Sequence, residues 1–388
     1  MNIGSDVRSS PGIPESLYIG PVLDDEEITE VERVLRSGRI TQLSSDEVER
    51  FEKSFASYVG AKEAIAVNSG TAAIHTALAS YDIGPGDEVI VPAFTFIGTV
   101  GPVLQQGATP VFADIDLDTF CLSPEDIDRK ITTRTKAIIP VDLFGHPADL
   151  DAIRKLADEH DLLVIEDACQ SHGAEYKGRK LGSISHATCF SFQESKNMTT
   201  GEGGMITTDD TDFASVCRRV RHQGERSWHV IERLGWNYRM TALQAAIGIV
   251  QLRRLEKFNE ARRRNAAIYT EELWRLDLRL PSEKPYAESV YHVYTFILPA
   301  GMAPKRDEIV EALTRERVPA MVAYPSPLYS SPLFSKYSGP HNCPVTEDVS
   351  RRVITLATSQ SIMPGIAREI AKTTRKVLEM YGVGSSAE

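Results

Sequence analysis

Between Ala61 and Ile206 short β-rich apolar runs alternate with helical patterns, and this alternation is what most restricts the fold. The runs are EAIAV (Glu63 to Val67), DEVIVP (Asp87 to Pro92), TPVFADI (Thr109 to Ile115), KAIIPVDLF (Lys136 to Phe144) and LLVIEDA (Leu162 to Ala168). Largely apolar strands joined by helices are buried on both faces, which predicts an α/β domain on a mostly parallel sheet. Helix starts are marked in between. Ser123-Pro124-Glu125-Asp126 sets a cap ahead of proline and two acids, and Asp149 to Asp158 repeats the theme. Met240 to Arg263 reads as a long helix leaving this domain, its Lys/Arg-rich part a solvated face rather than an anion site.

After about Glu260 the pattern changes to a strand at VYHVYTFIL (Val290 to Leu298), its aromatics expected in the core, and a helix at Lys305 to Arg317. A Pro/Ser/Tyr-rich loop runs from Pro325 to Pro344. A chain of 388 residues suits two domains. The expected division is a large domain with an N-terminal arm over 1–255 and a smaller α+β domain over 256–388.

The net charge of -11 and pI near 5.4 argue against a nucleic-acid partner, because phosphate contacts need a basic surface. An anionic ligand then needs a local site. The five cysteines show no C-x-x-C spacing, so neither a metal site nor a disulfide framework is expected. Met1 to Pro14 is polar, and no window approaches a membrane span, so the expected location is the cytoplasm without membrane attachment.

Three segments carry chemistry. In CFSFQESKNMTTGEGG, Lys196 follows a strand in a Gly/Thr-rich turn, where partial burial would depress an amine's pKa and make it a nucleophile; a surface loop lysine is the plainer alternative. LLVIEDACQSHGA ends a strand on Glu166 and Asp167, at the sheet edge where α/β proteins bind ligands. A buried acid there needs a cationic partner, such as a protonated pyridine nitrogen, whereas an exposed one is only a solvated strand end. Asn68-Ser69-Gly70-Thr71 joins a strand to an Ala-rich helix, whose free N–H groups form either a phosphate site or a simple cap.

Together with SGRITQ near Gly38, GPGDEVIVPAFTF, TKAIIPVDLFGHPAD and GWNYRMTALQAAIGIVQL, these segments resemble the DegT/DnrJ/EryC1/StrS group of sugar aminotransferases, in order and almost end to end. The resemblance implies the fold-type I, aspartate aminotransferase-like architecture and a pyridoxal 5'-phosphate cofactor. It implies Lys196 as the Schiff-base lysine and proton shuttle, Asp167 at the pyridine nitrogen, Gln170 near the phenolic oxygen and Phe96 stacked on the ring. Gly70, Thr71 and Ser191 would hold the phosphate, with Asn237 reaching it from the neighbouring subunit of a homodimer.

The implied reaction takes an amino group from glutamate or glutamine to a ketone on a nucleotide-activated deoxysugar, or on a cyclitol of aminoglycoside-type pathways. His172, Arg239 and Tyr329 are the substrate candidates, although His172 and Arg239 suit structural roles equally. Leu43, Tyr329, the stretch Ile354 to Ile362 and Gln193 depart from the family's usual pattern, and Gln193 resembles the cyclitol branch. Lys196 argues against the dehydratase branch, which has histidine there, and no strand is followed by the G-x-G-x-x-G of a nicotinamide dehydrogenase. A non-enzymatic regulator that binds the cofactor would keep the lysine.

Overall fold

Side chains that alternate between two apolar layers fix the central sheet, and β1 (Glu63–Val67) shows how. Ala64 and Ala66 enter one core, while Ile65 and Val67 enter the other. The computed structural model describes residues 19–337 and 342–384, so Met1 to Pro14 and part of the Pro325 to Pro344 stretch lie outside the described residues. Four further strands match the expected runs: β2 (Glu88–Pro92), β3 (Thr109–Ala113), β4 (Thr135–Ile138) and β5 (Leu163–Asp167). Two more, Ala187–Ser191 and Gly204–Thr208, complete a seven-stranded sheet in the order β1, Gly204–Thr208, Ala187–Ser191, β5, β4, β2, β3. Only Gly204–Thr208 runs against its neighbours.

β4 ends earlier than the apolar run suggests. Pro140 has no N–H for the ladder, although its carbonyl still accepts from Asp167 N at 2.8 Å. The chain then turns at Phe144 and Gly145, both at positive φ.

Helices α1 (Asp25–Ser37), α2 (Glu47–Val59), α3 (Gly70–Ser80), α4 (Ile97–Gln105), α5 (Pro124–Lys130), α6 (Leu150–His160) and α7 (Thr211–Arg221) accompany the sheet. Ser123 and Asp149 cap α5 and α6 as their sequence positions predict. Helix α8 (Ala242–Leu273) has 32 residues, hence a length of about 48 Å, and starts from a Thr241/Gln244 capping box. It runs unbroken through the expected domain boundary at 255/256 and ten residues beyond Arg263. Its second half is stabilised by tertiary packing, with Ala266, Tyr269 and Leu273 in the C-terminal core.

That C-terminal core covers an antiparallel three-stranded sheet, Val293–Ile297, Val353–Ala357 and Ala320–Met321, with helices Arg306–Arg315 and Pro364–Met380. Tyr294 and Phe296 are buried in it, as expected for that strand's aromatics. Among the described residues, no helix is long and apolar enough to cross a membrane.

The basic tail of the Met240 to Arg263 segment departs from a uniformly solvated face. Arg253 does face outward and pairs with Glu26, whereas Arg254, largely covered, pairs with Asp24 and Glu27, and Arg263 pairs with Glu288. Arg262 instead is buried, because Leu255, Phe258, Asn259 and Arg262 recur at three- and four-residue spacing on the inward face of the helix.

Near its start, α8 crosses α2 where Gly248 meets Phe51. A Cβ on Gly248 would lie 2.6 Å from Phe51 Cζ, and Phe51 is itself wedged against Phe192 at a ring-centroid distance of 5.2 Å. Alanine at 248 would gain about 1 kcal/mol of helix propensity, but overpacking costs about 1–3 kcal/mol. Gly248→Ala is therefore expected to lower the urea midpoint, and an unchanged or higher midpoint would show that Phe51 can yield.

Candidate active site

All six like-directed strands end at one edge of the sheet, and the segments that follow five of them, all but β3, line a cavity of about 770 Å³. Beyond β1, Ser69 caps α3 by accepting from Ala72 N at 3.1 Å, leaving the first N–H groups of the helix, at Gly70 and Thr71, beside the cavity. A Cβ on Gly70 would stand 2.7 Å from Ser191 Cβ, so only glycine lets the helix end and Ser191 form one cradle. This geometry fits a phosphate.

Beyond β5, Asp167 is nearly buried on the cavity wall. Its Oδ2 accepts from Thr99 Oγ1 at 2.8 Å and its Oδ1 from Cys169 N at 3.1 Å, so the carboxylate is held in one orientation. Gln170 accepts from Phe144 N at 2.9 Å and donates to Tyr324 OH at 3.1 Å. Phe96 is 61% exposed at the start of α4, yet it lines the cavity, an apolar ring left open for a flat partner.

Lys196 lines the same cavity, and Nζ donates no hydrogen bond among the described residues. Burial pulls its pKa below the usual lysine value. Its backbone is fixed by the next residue: Asn197 Nδ2 donates to Asn259 Oδ1 of α8 at 2.8 Å, and Asn197 Oδ1 meets His292 Nδ1 at 3.1 Å. Asn259 in turn donates to His172 O at 2.8 Å.

Four sequence candidates do not line this cavity. His172 is fully buried between Phe190 and Phe192, its pKa lowered to about 3 by burial, with Lys196 nearby adding to the effect. It supports the lysine turn from beneath, which corrects a channel-lining role. Arg239 contacts His222 Nδ1 at 2.8 Å, and Tyr329 donates to Glu347 at 2.8 Å against Phe112. Asn237 is exposed, paired through its backbone with His222. Conversely, Thr99, Asn197, Arg262, His292, Tyr324 and Gln360 line or brace the site without a sequence signal that singles them out. Thr99 was the most accessible, three residues beyond Phe96 on one helical turn.

The chain matches the model of the DegT/DnrJ/EryC1/StrS aminotransferase family over residues 21–375. It belongs to that family. The protein is thus an aminotransferase, and the family match agrees with the large parallel-sheet, aspartate aminotransferase-like fold. GDP-perosamine synthase from Caulobacter vibrioides is 44% identical over 309 residues, covering 78% of this chain and 82% of that protein. The solved structure of DesV from S. venezuelae superposes with a TM-score of 0.86 at 37% identity, over 90% of this chain and 94% of that one. The PLP form of the putative sugar aminotransferase Spr1654 from Streptococcus pneumoniae gives a TM-score of 0.88 at 28% identity, covering 93% and 98%.

Behind Asp167 lies a second acidic pair in this aminotransferase. Asp142 and Glu166 are fully buried. Glu166 Oε2 accepts from Ser185 and Thr188, and Asp142 Oδ1 from Ala148 N. The remaining oxygens, Asp142 Oδ2 and Glu166 Oε1, have no donor except each other. Burial raises both pKa values, helped at Asp142 by the charges of Glu166 and Asp167 and at Glu166 by that of Asp167, which favours one proton held between the two. The unfolded chain releases that proton above about pH 4.3, so wild-type stability falls as pH rises from there towards the raised folded value. Glu166→Gln supplies the same hydrogen bond without the proton. Relative to wild type, the variant should gain about 1.4 kcal/mol per pH unit between about pH 5 and 7, read by urea denaturation. A pH-independent difference would rule out the shared proton.

Proposed function

We propose that this aminotransferase uses pyridoxal 5'-phosphate to move an amino group from glutamate or glutamine to the keto group of a nucleotide-activated deoxysugar. The observation that carries this reading is the meeting, in one cavity, of an unbonded lysine amine, an oriented aspartate and a helix N-terminus. Those groups fit the cofactor. When bound, it supplies the electron sink and carries the amino group between the two substrates.

In this reading Gly70, Thr71 and Ser191 hold the phosphate, and Phe96 covers one face of the ring. Asp167, oriented by Thr99, keeps the pyridine nitrogen protonated. Gln170, itself fixed by Phe144 and Tyr324, would face the phenolic oxygen. Lys196 Nζ, with its basicity lowered by burial, is free base more often than an exposed lysine. It would hold the cofactor through its amine and, in each half-reaction, move the proton at the substrate carbon that loses or gains nitrogen.

The relative named GDP-perosamine synthase supports a sugar nucleotide as acceptor. A keto-cyclitol is the second reading, favoured by Gln193, which lines the cavity. Keto sugars and keto-cyclitols offered in turn to the pyridoxamine form separate the two.

Borohydride reduction of the yellow holoprotein, followed by peptide mapping, is expected to label Lys196 alone, and Lys196→Ala should lose the visible absorbance. Label on any other lysine refutes the assignment.

A homodimer completes the proposal. Trp228, 83% exposed, stands with exposed Ile231 and Leu234 just before Asn237, an apolar surface suited to a second copy. With Asn237 of the partner subunit reaching each phosphate, mixing Lys196→Ala with Asn237→Ala chains gives heterodimers with one doubly defective and one intact site. Activity should recover to about half of the wild-type level per heterodimer. Heterodimers that form without activity would show that Asn237 serves its own chain or none.

A further inference from the structure

Arg262 is only 3% exposed, yet it lines the cavity that holds Lys196. Its Nε donates to Gln360 Oε1 at 3.1 Å and its Nη1 to His292 O at 2.8 Å. Both acceptors are neutral. Among the described residues no carboxylate pairs with this guanidinium, and Nη2 donates no hydrogen bond. Burial accordingly lowers its pKa to about 9, with no anion to offset the loss of water.

A buried, unpaired guanidinium is costly, and chains keep such a charge where something else neutralises it. Asp167 and Glu202 line the same cavity without pairing with it, and the nearby Lys196, His172 and His292 are basic and cannot neutralise it. The phosphate cradle is built from α3 and Ser191, whereas Arg262 is held by Gln360 and His292 of the C-terminal part. The anion it lacks is therefore a different one. Arg262 is linked to the lysine turn through His292 and Asn197, so it stands near the reacting centre.

The two substrates differ in charge there. An amino-acid donor carries a carboxylate on the carbon that gives up nitrogen, while a keto sugar or cyclitol carries hydroxyls around its carbonyl. We infer that Arg262, oriented by Gln360, is the binding residue for the α-carboxylate of the amino-acid donor. The planar guanidinium suits that group, presenting parallel N–H donors to two oxygens. Gln360 lies in the Ile354 to Ile362 stretch, so one departure from the family's usual pattern sits on the donor's side of the cavity.

This inference rests on the proposed use of glutamate or glutamine as donor, and the test separates the two ideas. Holoenzymes of wild type, Arg262→Met, Arg262→Lys and Gln360→Leu are mixed with L-glutamate or L-glutamine, and the loss of cofactor absorbance is followed. Arg262→Met should slow the reaction at sub-saturating donor on the order of 100-fold or more, equally for both amino acids, because both carry the α-carboxylate. The lysine variant and Gln360→Leu should lose less, mainly in donor KM. Melting temperature and cofactor absorbance report folding, and if Arg262→Met does not fold, Arg262→Lys decides.

A loss with glutamate but not glutamine would assign Arg262 to the side-chain carboxylate and overturn the inference, as would wild-type kinetics in the variants. Glutarate binding, followed by calorimetry, covers the case in which neither amino acid reacts with wild type. Glutarate held by wild type and lost by the arginine variants would then uphold a carboxylate site while the donor reading fails. Equal glutarate affinity in all four proteins would overturn the site itself.

Discussion

The hydrogen bond from Asn197 to Asn259 joins the lysine turn to the long helix, and the geometry of the site depends on it. A lysine in a Gly/Thr-rich turn has no reason of its own to keep one position. Here its neighbour is locked between Asn259 of α8 and His292, while Thr199 donates to the Phe192 carbonyl and Asn259 grips the backbone of His172. These are buried polar groups whose alternatives to bonding one another are unsatisfied donors and acceptors, each costing about 1–3 kcal/mol. That cost makes the network rigid and lets a mobile side chain act from a fixed base.

The same helix reconciles two opposite electrostatic demands. The protein as a whole carries -11, which suits a soluble surface but would repel anionic ligands. Arg253, Arg254 and Arg263 are neutralised by Glu26, Asp24 and Glu288. One turn inward, Arg262 is not. Positive charge is thereby withheld from the surface and presented inside the cavity, where a low dielectric strengthens each interaction. Asp167 and the acidic pair behind it supply the opposing sign at the other wall. With the pKa of both members of that pair raised by burial, Asp167 need not be flanked by two further full negative charges.

The readable parts of this molecule were the local ones. Apolar runs give β1, β2, β3 and β5 to within a residue or two at each end, since a strand buried on both faces must be apolar throughout, whereas β4 stops short of its run at Ile138. Lys196, Asp167, Gly70 and Ser191 stand out because each sits at a strand end within a short motif. Arg262 does not, because its role follows from which side of α8 faces inward, and a dense run of arginines looks solvated unless the three- and four-residue spacing from Gln251 onward is followed. Tyr324, His292 and Gln360 come from the C-terminal part and reach the cavity only through tertiary packing. His172 misleads for the opposite reason: two residues from Gln170 along the chain, it points beneath the site and not into it.

The positions of Asn237 and Arg239 follow from the same geometry. Both are held by a segment that pairs with His222, outside the cavity of their own chain, next to apolar residues left in water at the Trp228 turn. A lone chain would expose that surface at a cost that scales with its area, about 25 cal/mol per Å², and would leave its phosphate cradle with backbone groups and Ser191 only. Docking a second copy there, as proposed, would relieve both deficits at once. Under that arrangement, cofactor retention and assembly become linked equilibria, each stabilising the other by the same free energy. In the proposed dimer the exposed apolar turn would be as much a part of the cofactor site as the glycine at the start of α3.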